Sequence, residues 1–209
     1  MNHHAQEPVS TPVLSIFNRD EMLTWPNLIT FIRLLCIPVF LWLLFSQENR
    51  AAAAWLLAAL GATDWVDGWV ARRFDMTSEF GRLFDPTVDR LMFFVAIPAI
   101  IIDGSIPLTV GILGLGREVL VALVAVASVS LGAGTLVVTR EGKIGAFLMM
   151  FAFPMFLGAA STLSYAPVLE WLAWIFAIPG LAYGYYSLVF EYVPAAWEAS
   201  RQKPAPNER

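Results

Sequence analysis

The chain has 209 residues, of which 58% are hydrophobic and only 14% charged, with a formal net charge of −4. Long apolar runs at so low a charge content argue against a soluble domain and for one compact membrane bundle, with no room for a second large domain. In such a protein the placement of charge says more than its sum, and no nucleic-acid partner is expected.

Residues 1–23 form a polar tail that contains Glu7, Asp20 and Glu21. It lacks the basic start and early apolar core of a secretory signal. Within it, Pro12–Met22 could lie along the membrane surface with Val13, Leu14, Ile16 and Phe17 toward lipid. A single domain is expected over residues 24–195, with six spans: Leu28–Phe45, Ala51–Phe74, Arg82–Ile102, Pro107–Leu131, Gly142–Leu163 and Pro167–Tyr192. Turns are marked by Ser46 to Arg50, Asp103 to Pro107 and Ser161 to Pro167. Residues 196–209, polar and proline-bearing, read as a disordered tail. The single Cys36 falls in the first apolar run, so no intrachain disulfide can form.

Six spans put both termini on one side, together with Arg19, Arg72, Arg73, Arg82, Arg140, Lys143, Arg201, Lys203 and Arg209; the other side holds only Arg50. The positive-inside rule makes the first side cytoplasmic, and a bacterial inner membrane is the expected location.

Four carboxylates interrupt this oily chain: Asp64 and Asp67 on the second span, Asp85 and Asp89 on the third. Spacings of three and four put each pair on one helix face. Eighteen residues separate Asp67 from Asp85, enough for a hairpin that brings the pairs together. Like charges so close repel and recruit cations. Four hard oxygen ligands on facing helices suit Mg2+ or Mn2+, and two such ions about 4 Å apart could clamp a diphosphate. Gly68 and Ala71 would let a bulky ligand approach the helix, Arg72 could reach a phosphate as a forked donor, and Gly81 opens space at the third span. Two bland alternatives compete. One is a structural ion-pair network with Arg72, Arg73, Arg82 and Arg90. The other is a divalent-cation transporter, although its acids should be strung through the bilayer rather than crowded at one face.

The pattern D-x-x-D-G-x-x-A-R-x8-G-x-x-x-D-x-x-x-D, filled here by Asp64, Asp67, Gly68, Ala71, Arg72, Gly81, Asp85 and Asp89, resembles the signature of the CDP-alcohol phosphotransferase family. The likeness extends upstream over Trp25 to Pro38 and downstream to Gly116-Arg117-Glu118 and Gly142-Lys143, where it resembles bacterial phosphatidylglycerophosphate synthases and cardiolipin synthases. The resemblance implies an all-α integral membrane protein, a six-transmembrane-helix bundle with a cytoplasm-facing cavity, present as a homodimer among membrane lipids. It implies transfer of a phosphatidyl group from CDP-diacylglycerol to an alcohol, with release of CMP, at two divalent ions (Mg2+ or Mn2+). By the same likeness Asp64, Asp67 and Asp85 hold the metals, and Asp89 completes the site and acts as general base. Thr63, Gly68, Ala71, Arg72 and Gly81 would line the CDP pocket, with Asn27 and Thr30 nearby.

For the acceptor, Arg117, Arg140 and Lys143 could converge on a phosphate; for the last two, ordinary positive flanking is the competing explanation. Arg117 lies inside an apolar run and needs a partner, Glu118 or the cavity. Where many phosphatidylglycerophosphate synthases carry G-K-x-K-T, this chain reads G-K-I-G-A at residues 142–146, no arginine follows within Val119–Leu131, and the usual lysine after the last aspartate is Arg90. Glycerol 3-phosphate is the expected acceptor, with phosphatidylglycerol, as in cardiolipin synthesis, the alternative.

Overall fold

A computed structural model describes residues 25–74, 79–130 and 139–201, with side-chain placement for 30–63, 88, 90–130 and 139–197. The surface segment expected at Pro12–Met22 and the tail from 202 onward lie outside the described residues.

The described residues are all-helical. Helix α1 (Trp25–Leu41) runs into a π-helical turn at Trp42–Ser46; α2 covers Arg50–Phe74, α3 Glu79–Asp103 and α4 Leu108–Ser130. Helix α5 covers Arg140–Ala159, and α6 (Ala166–Ser187) passes through a second π turn, Leu188–Tyr192, into the short α7 (Val193–Arg201). The six long helices coincide within a few residues with the apolar runs of the sequence. Helix α7 carries regular structure through Arg201, past the boundary at residue 195 where a disordered tail was expected. Among the described residues, three segments suffice by length and hydropathy to cross a membrane: Leu108–Ser130, Arg140–Ala159 and Ala166–Trp197.

Local chemistry sets the ends of these helices. Asn49 caps α2 by accepting from the Ala52 amide at 3.0 Å, and Thr139 caps α5 by accepting from the Gly142 amide at 3.2 Å. Helix α3 ends where Gly104 takes a positive φ of 74°. The Ser105 amide returns to the Ile100 carbonyl and the Gly104 amide to that of Ile101, the two bonds that satisfy the last carbonyls of a helix. Pro167 in the first turn of α6 is preset for a helix start.

Helix α5 is the centre of the bundle. Its Met149, Ala152, Phe153, Phe156 and Leu157 are buried against Ala53 and Ala54 of α2, Ile97 and Ile100 of α3, and Ala173 and Ala177 of α6. Phe153 meets Phe93 edge-on at 5.6 Å and Phe156 meets Trp174 at 5.4 Å. Helix α1 packs on both α2 and α3. In lipid such contacts act through close packing rather than expulsion of water. At the α5–α6 crossing a Cβ on Gly145 would stand 2.7 Å from the Gly184 nitrogen and 2.9 Å from the Gly180 oxygen, so the two backbones touch.

The end of the bundle far from the termini is pinned by Arg50. Its Nε donates to Asp103 Oδ2 at 2.8 Å, and Nη1 reaches the Ala160 carbonyl at 3.4 Å. The first residue of α2, the last of α3 and the end of α5 are thereby tied together, and Ser105 also donates to Asp103. Exposed Trp42, Trp55, Tyr165 and Trp171 ring this end, as aromatic side chains do at a membrane–water boundary. Because the Arg50 side chain is 41% exposed, Arg50→Ala should cost only about 1 kcal/mol, as partly solvated pairs do, and be read as a small drop in unfolding midpoint in mild detergent.

Candidate active site

The Arg50–Asp103 clamp fixes the register of the α2–α3 hairpin, and the register decides where the carboxylates fall. The helices run in opposite directions from the clamp. Asp64 is fourteen residues from Arg50, and Asp89 fourteen from Asp103; at 1.5 Å per residue both sit about 21 Å from the clamp. Asp67 is seventeen residues along α2 and Asp85 eighteen along α3, at about 26 and 27 Å. Counted along their helices from the clamp, the two pairs of aspartates therefore fall at matching levels, and α1 packs on both helices. Their side chains lie outside the described set, as do those of Asn27, Gly68, Ala71, Arg72 and Gly81.

Between the clamp and the carboxylate-bearing segments, α2, α3 and α5 line a partly open apolar cavity of about 140 Å³. Gly61 and Met92 line it, three residues short of Asp64 and three beyond Asp89 respectively. Both carboxylate-bearing segments thus leave the cavity at the same end. Among the described side chains no three His, Cys, Asp or Glu come together, so the four aspartates remain the candidate donor set. Aspartates at matched positions along two helices are the residue type that suits hard divalent ions.

Helix α1 covers this region. Thr30 and Arg33 are both only 2% exposed, on the face that continues through Ile37, Phe40 and Leu44. Thr30 was expected near the nucleotide pocket; Arg33 was missed. The signal was available, since an arginine inside an apolar run must be engaged by the protein, the argument already applied to Arg117. Thr63 is exposed, and its hydroxyl donates to the Leu60 carbonyl at 2.8 Å.

The basic residues separate into two kinds. Arg117 is buried at 7% exposure, pairs with Glu118, and donates from Nη2 to the Gly142 carbonyl at 3.2 Å. It lies against Gly184, where a Cβ would come within 3.1 Å of Nε. Glu118 is thus the partner its position called for, and Arg117 joins α4 to the start of α5. Arg140 and Lys143 are exposed. Since Arg50 holds the far end of α5, their end of that helix is the carboxylate end: Lys143 is seventeen residues from Ala160, about 26 Å and level with Asp67 and Asp85. A polar cluster fixes this helix start, with the Thr139 and Ser187 hydroxyls 2.5 Å apart and the Thr139 amide donating to Tyr192 Oη at 3.3 Å.

The helix segments that carry the four aspartates, the apolar cavity and the exposed Arg140 and Lys143 lie toward one end of the bundle. Comparison with known proteins decides between reaction classes. Residues 23–179 match the CDP-alcohol phosphatidyltransferase family. The chain belongs to that family. It is similar to the Mycobacterium tuberculosis protein named "Putative cardiolipin synthase", 32% identical over 190 residues and 90% of each chain. It is likewise similar to the cardiolipin synthase (CMP-forming) of Streptomyces coelicolor, 32% identical over 73% of this chain and 74% of that one. It also resembles the CDP-diacylglycerol–glycerol-3-phosphate 3-phosphatidyltransferase of Rickettsia felis, 30% identical over 77% of this chain and 91% of the other. The chain is therefore a membrane phosphatidyltransferase, of a family that uses divalent metal ions.

Proposed function

We propose that this enzyme moves a phosphatidyl group from CDP-diacylglycerol to glycerol 3-phosphate, releasing CMP and giving phosphatidylglycerol phosphate. The observation that carries this reading is the hairpin register, which sets four aspartates at two matched levels beside an apolar cavity and at the same end as Lys143 and Arg140. Asp64, Asp67, Asp85 and Asp89 would hold two divalent ions, Mg2+ or Mn2+. When bound, these ions supply charge neutralisation at the diphosphate and the departing CMP. Asp89 takes the proton of the acceptor hydroxyl as that oxygen bonds to the phosphorus bearing the diacylglycerol, and the bond from that phosphorus to CMP breaks. Gly68 and Ala71 leave room for the nucleotide, Arg72 offers a forked donor to phosphate, and Asn27, Thr30, Thr63 and Gly81 complete the CDP pocket. The helices form a six-span bundle in a bacterial inner membrane, with termini, cavity mouth and site at the cytoplasmic face, and the enzyme works as a homodimer.

For the acceptor, exposed Arg140 and Lys143 supply the cations. Replacing both by alanine should raise the KM for glycerol 3-phosphate about tenfold or more while the donor KM stays within about twofold, because truncating a charged contact to a phosphate costs roughly 1.5–3 kcal/mol. An unaltered acceptor KM would show the pocket to be elsewhere.

One observation favours a second acceptor. The Arg117 guanidinium is already engaged by Glu118 and the Gly142 carbonyl, which leaves Arg140 and Lys143 of the three candidate acceptor cations. Two of the similar proteins are named as cardiolipin synthases. Under this reading phosphatidylglycerol is the acceptor and cardiolipin the product. Presenting each acceptor separately, with CDP-diacylglycerol and Mg2+ or Mn2+, and identifying the lipid formed distinguishes the two.

A further inference from the structure

Helix α6 ends in a π turn that faces the start of α5. Over Leu188–Tyr192 the Val193 amide bonds the Leu188 carbonyl, five residues back. At 3.6 residues per turn Ser187 and Tyr192 would point about 140° apart. A π turn, closed by bonds between residues five apart, brings both to one side. There the two hydroxyls meet Thr139. A Cβ on Gly142 would lie 2.9 Å from Ser187 Oγ, 3.0 Å from Tyr192 Oη and 3.1 Å from Thr139 Oγ1, so three hydroxyls converge where Gly142 has no side chain. Ser187 and Tyr192 are buried, and buried polar groups persist where they are bonded.

The bonds run to the backbone of the first turn of α5. The Thr139 amide donates to Tyr192 Oη at 3.3 Å. Thr139 Oγ1 lies 2.5 Å from Ser187 Oγ and accepts from the Gly142 amide at 3.2 Å. The Gly142 carbonyl accepts from Arg117 of α4 at 3.2 Å. The inward side of this turn is thereby held both from α4 and from the π turn. Arg140 and Lys143, three apart and so on one helix face, are exposed. Cations are disfavoured at the positive, N-terminal end of a helix dipole, so helix stability does not account for them, and a bound anion would reverse that cost. Glu141, between them in sequence, is turned to Glu191 of the π turn.

We propose that Thr139, Ser187 and Tyr192 are positioning residues for the acceptor: by fixing the first turn of α5 they set the direction in which Arg140 and Lys143 meet the phosphate of the acceptor alcohol. The inference rests on the reading of Arg140 and Lys143 as the acceptor cations, and it names what holds them. Ser187 and Tyr192, being buried, act through α5 rather than on the substrate.

The experiment follows CMP release by the full-length enzyme with glycerol 3-phosphate and, separately, with phosphatidylglycerol, and takes both KM values with the acceptor that is turned over. Tyr192→Phe keeps the ring and removes the oxygen that accepts from the Thr139 amide. It should raise the acceptor KM about threefold to tenfold, the equivalent of one lost hydrogen bond, with the donor KM within about twofold. In the Arg140→Ala/Lys143→Ala background the same substitution should have no further effect on the acceptor KM, because only independent sites add. Should Tyr192→Phe not fold, Thr139→Val and Thr139→Ser take its place: the first loses the hydroxyl and should raise the acceptor KM, and the second keeps it and should not. A parallel rise in both KM values, a fall in kcat alone, or the same increment with and without the two cations would show a merely structural role and overturn the proposal. A KM that responds to loss of the cations but not to Tyr192→Phe would overturn this inference alone. A KM indifferent to loss of both cations would overturn the acceptor reading and this inference with it, and no release with either acceptor would overturn phosphatidyl transfer as well.

Discussion

Asp89→Asn is expected to lower kcat by about 10²–10⁴-fold, the usual contribution of a positioned general base, with the KM for CDP-diacylglycerol changed little. The substitution keeps the shape of the side chain and removes its ability to take a proton. Asp64→Ala or Asp67→Ala should act chiefly by raising the divalent-ion concentration needed for half-maximal rate, whereas the loss in Asp89→Asn should persist at saturating metal. Asp103→Asn is the matched control. It replaces an aspartate on the same helix fourteen residues away, at the clamp end about 21 Å from Asp89. Its carboxylate serves Arg50 and Ser105, so its loss should reduce stability and leave turnover per folded molecule within about threefold, as expected for a pair that contributes about 1 kcal/mol. CMP release under matched metal concentrations measures all four. Full turnover by Asp89→Asn would remove the base from the mechanism.

Gly145→Leu is expected to abolish the folded bundle, and Gly145→Ala to cost about 1–3 kcal/mol, the range for overpacking a tight contact. The neighbours of a Cβ at this position are backbone atoms of Gly180 and Gly184 at 2.7–2.9 Å. A flexible side chain could move aside; a helix backbone can yield only by separating α5 from α6. That crossing brings together two segments long and apolar enough to span a membrane. Gly116→Ala provides the contrast, because its only near neighbour is the Tyr185 hydroxyl at 3.7 Å. There the added methyl should be neutral or stabilising, since glycine inside a helix is less favourable than alanine. Thermal unfolding in mild detergent reads both. Equal effects at the two positions would contradict the packing described here.

Much of this architecture was legible in the chain because membrane helices are written as apolar runs punctuated by turn residues. The third run was placed from Arg82, and α3 begins at Glu79; the turn after Asp103 was marked, and Gly104 provides it with a positive φ. The helical setting of Asp64, Asp67, Asp85 and Asp89 was legible too, since all four fall within α2 and α3. What could not be read was pairing across distance. Arg50 served only to orient the chain, yet it clamps α2 to α3 and to the end of α5. Gly180 and Gly184 have the spacing of a close helix crossing, but only their partner Gly145, 35 residues before Gly180, gives the spacing meaning. Arg33 carries the same signal as Arg117, an arginine within an apolar run, and it is buried in the same way. Arg117 itself found the neighbour its sequence position suggested, Glu118, together with a carbonyl that no pattern announces, that of Gly142.

The most direct test of the central claim is an acceptor screen on purified protein in lipid or mild detergent, with CDP-diacylglycerol, Mg2+ or Mn2+ and one alcohol at a time, following CMP and the lipid product together. The account predicts metal-dependent CMP release with glycerol 3-phosphate and formation of phosphatidylglycerol phosphate, abolished by a chelator. Product with phosphatidylglycerol alone would replace the acceptor with that of the second reading. No CMP with any alcohol would contradict phosphatidyl transfer itself and return the four aspartates to the cation-transport reading.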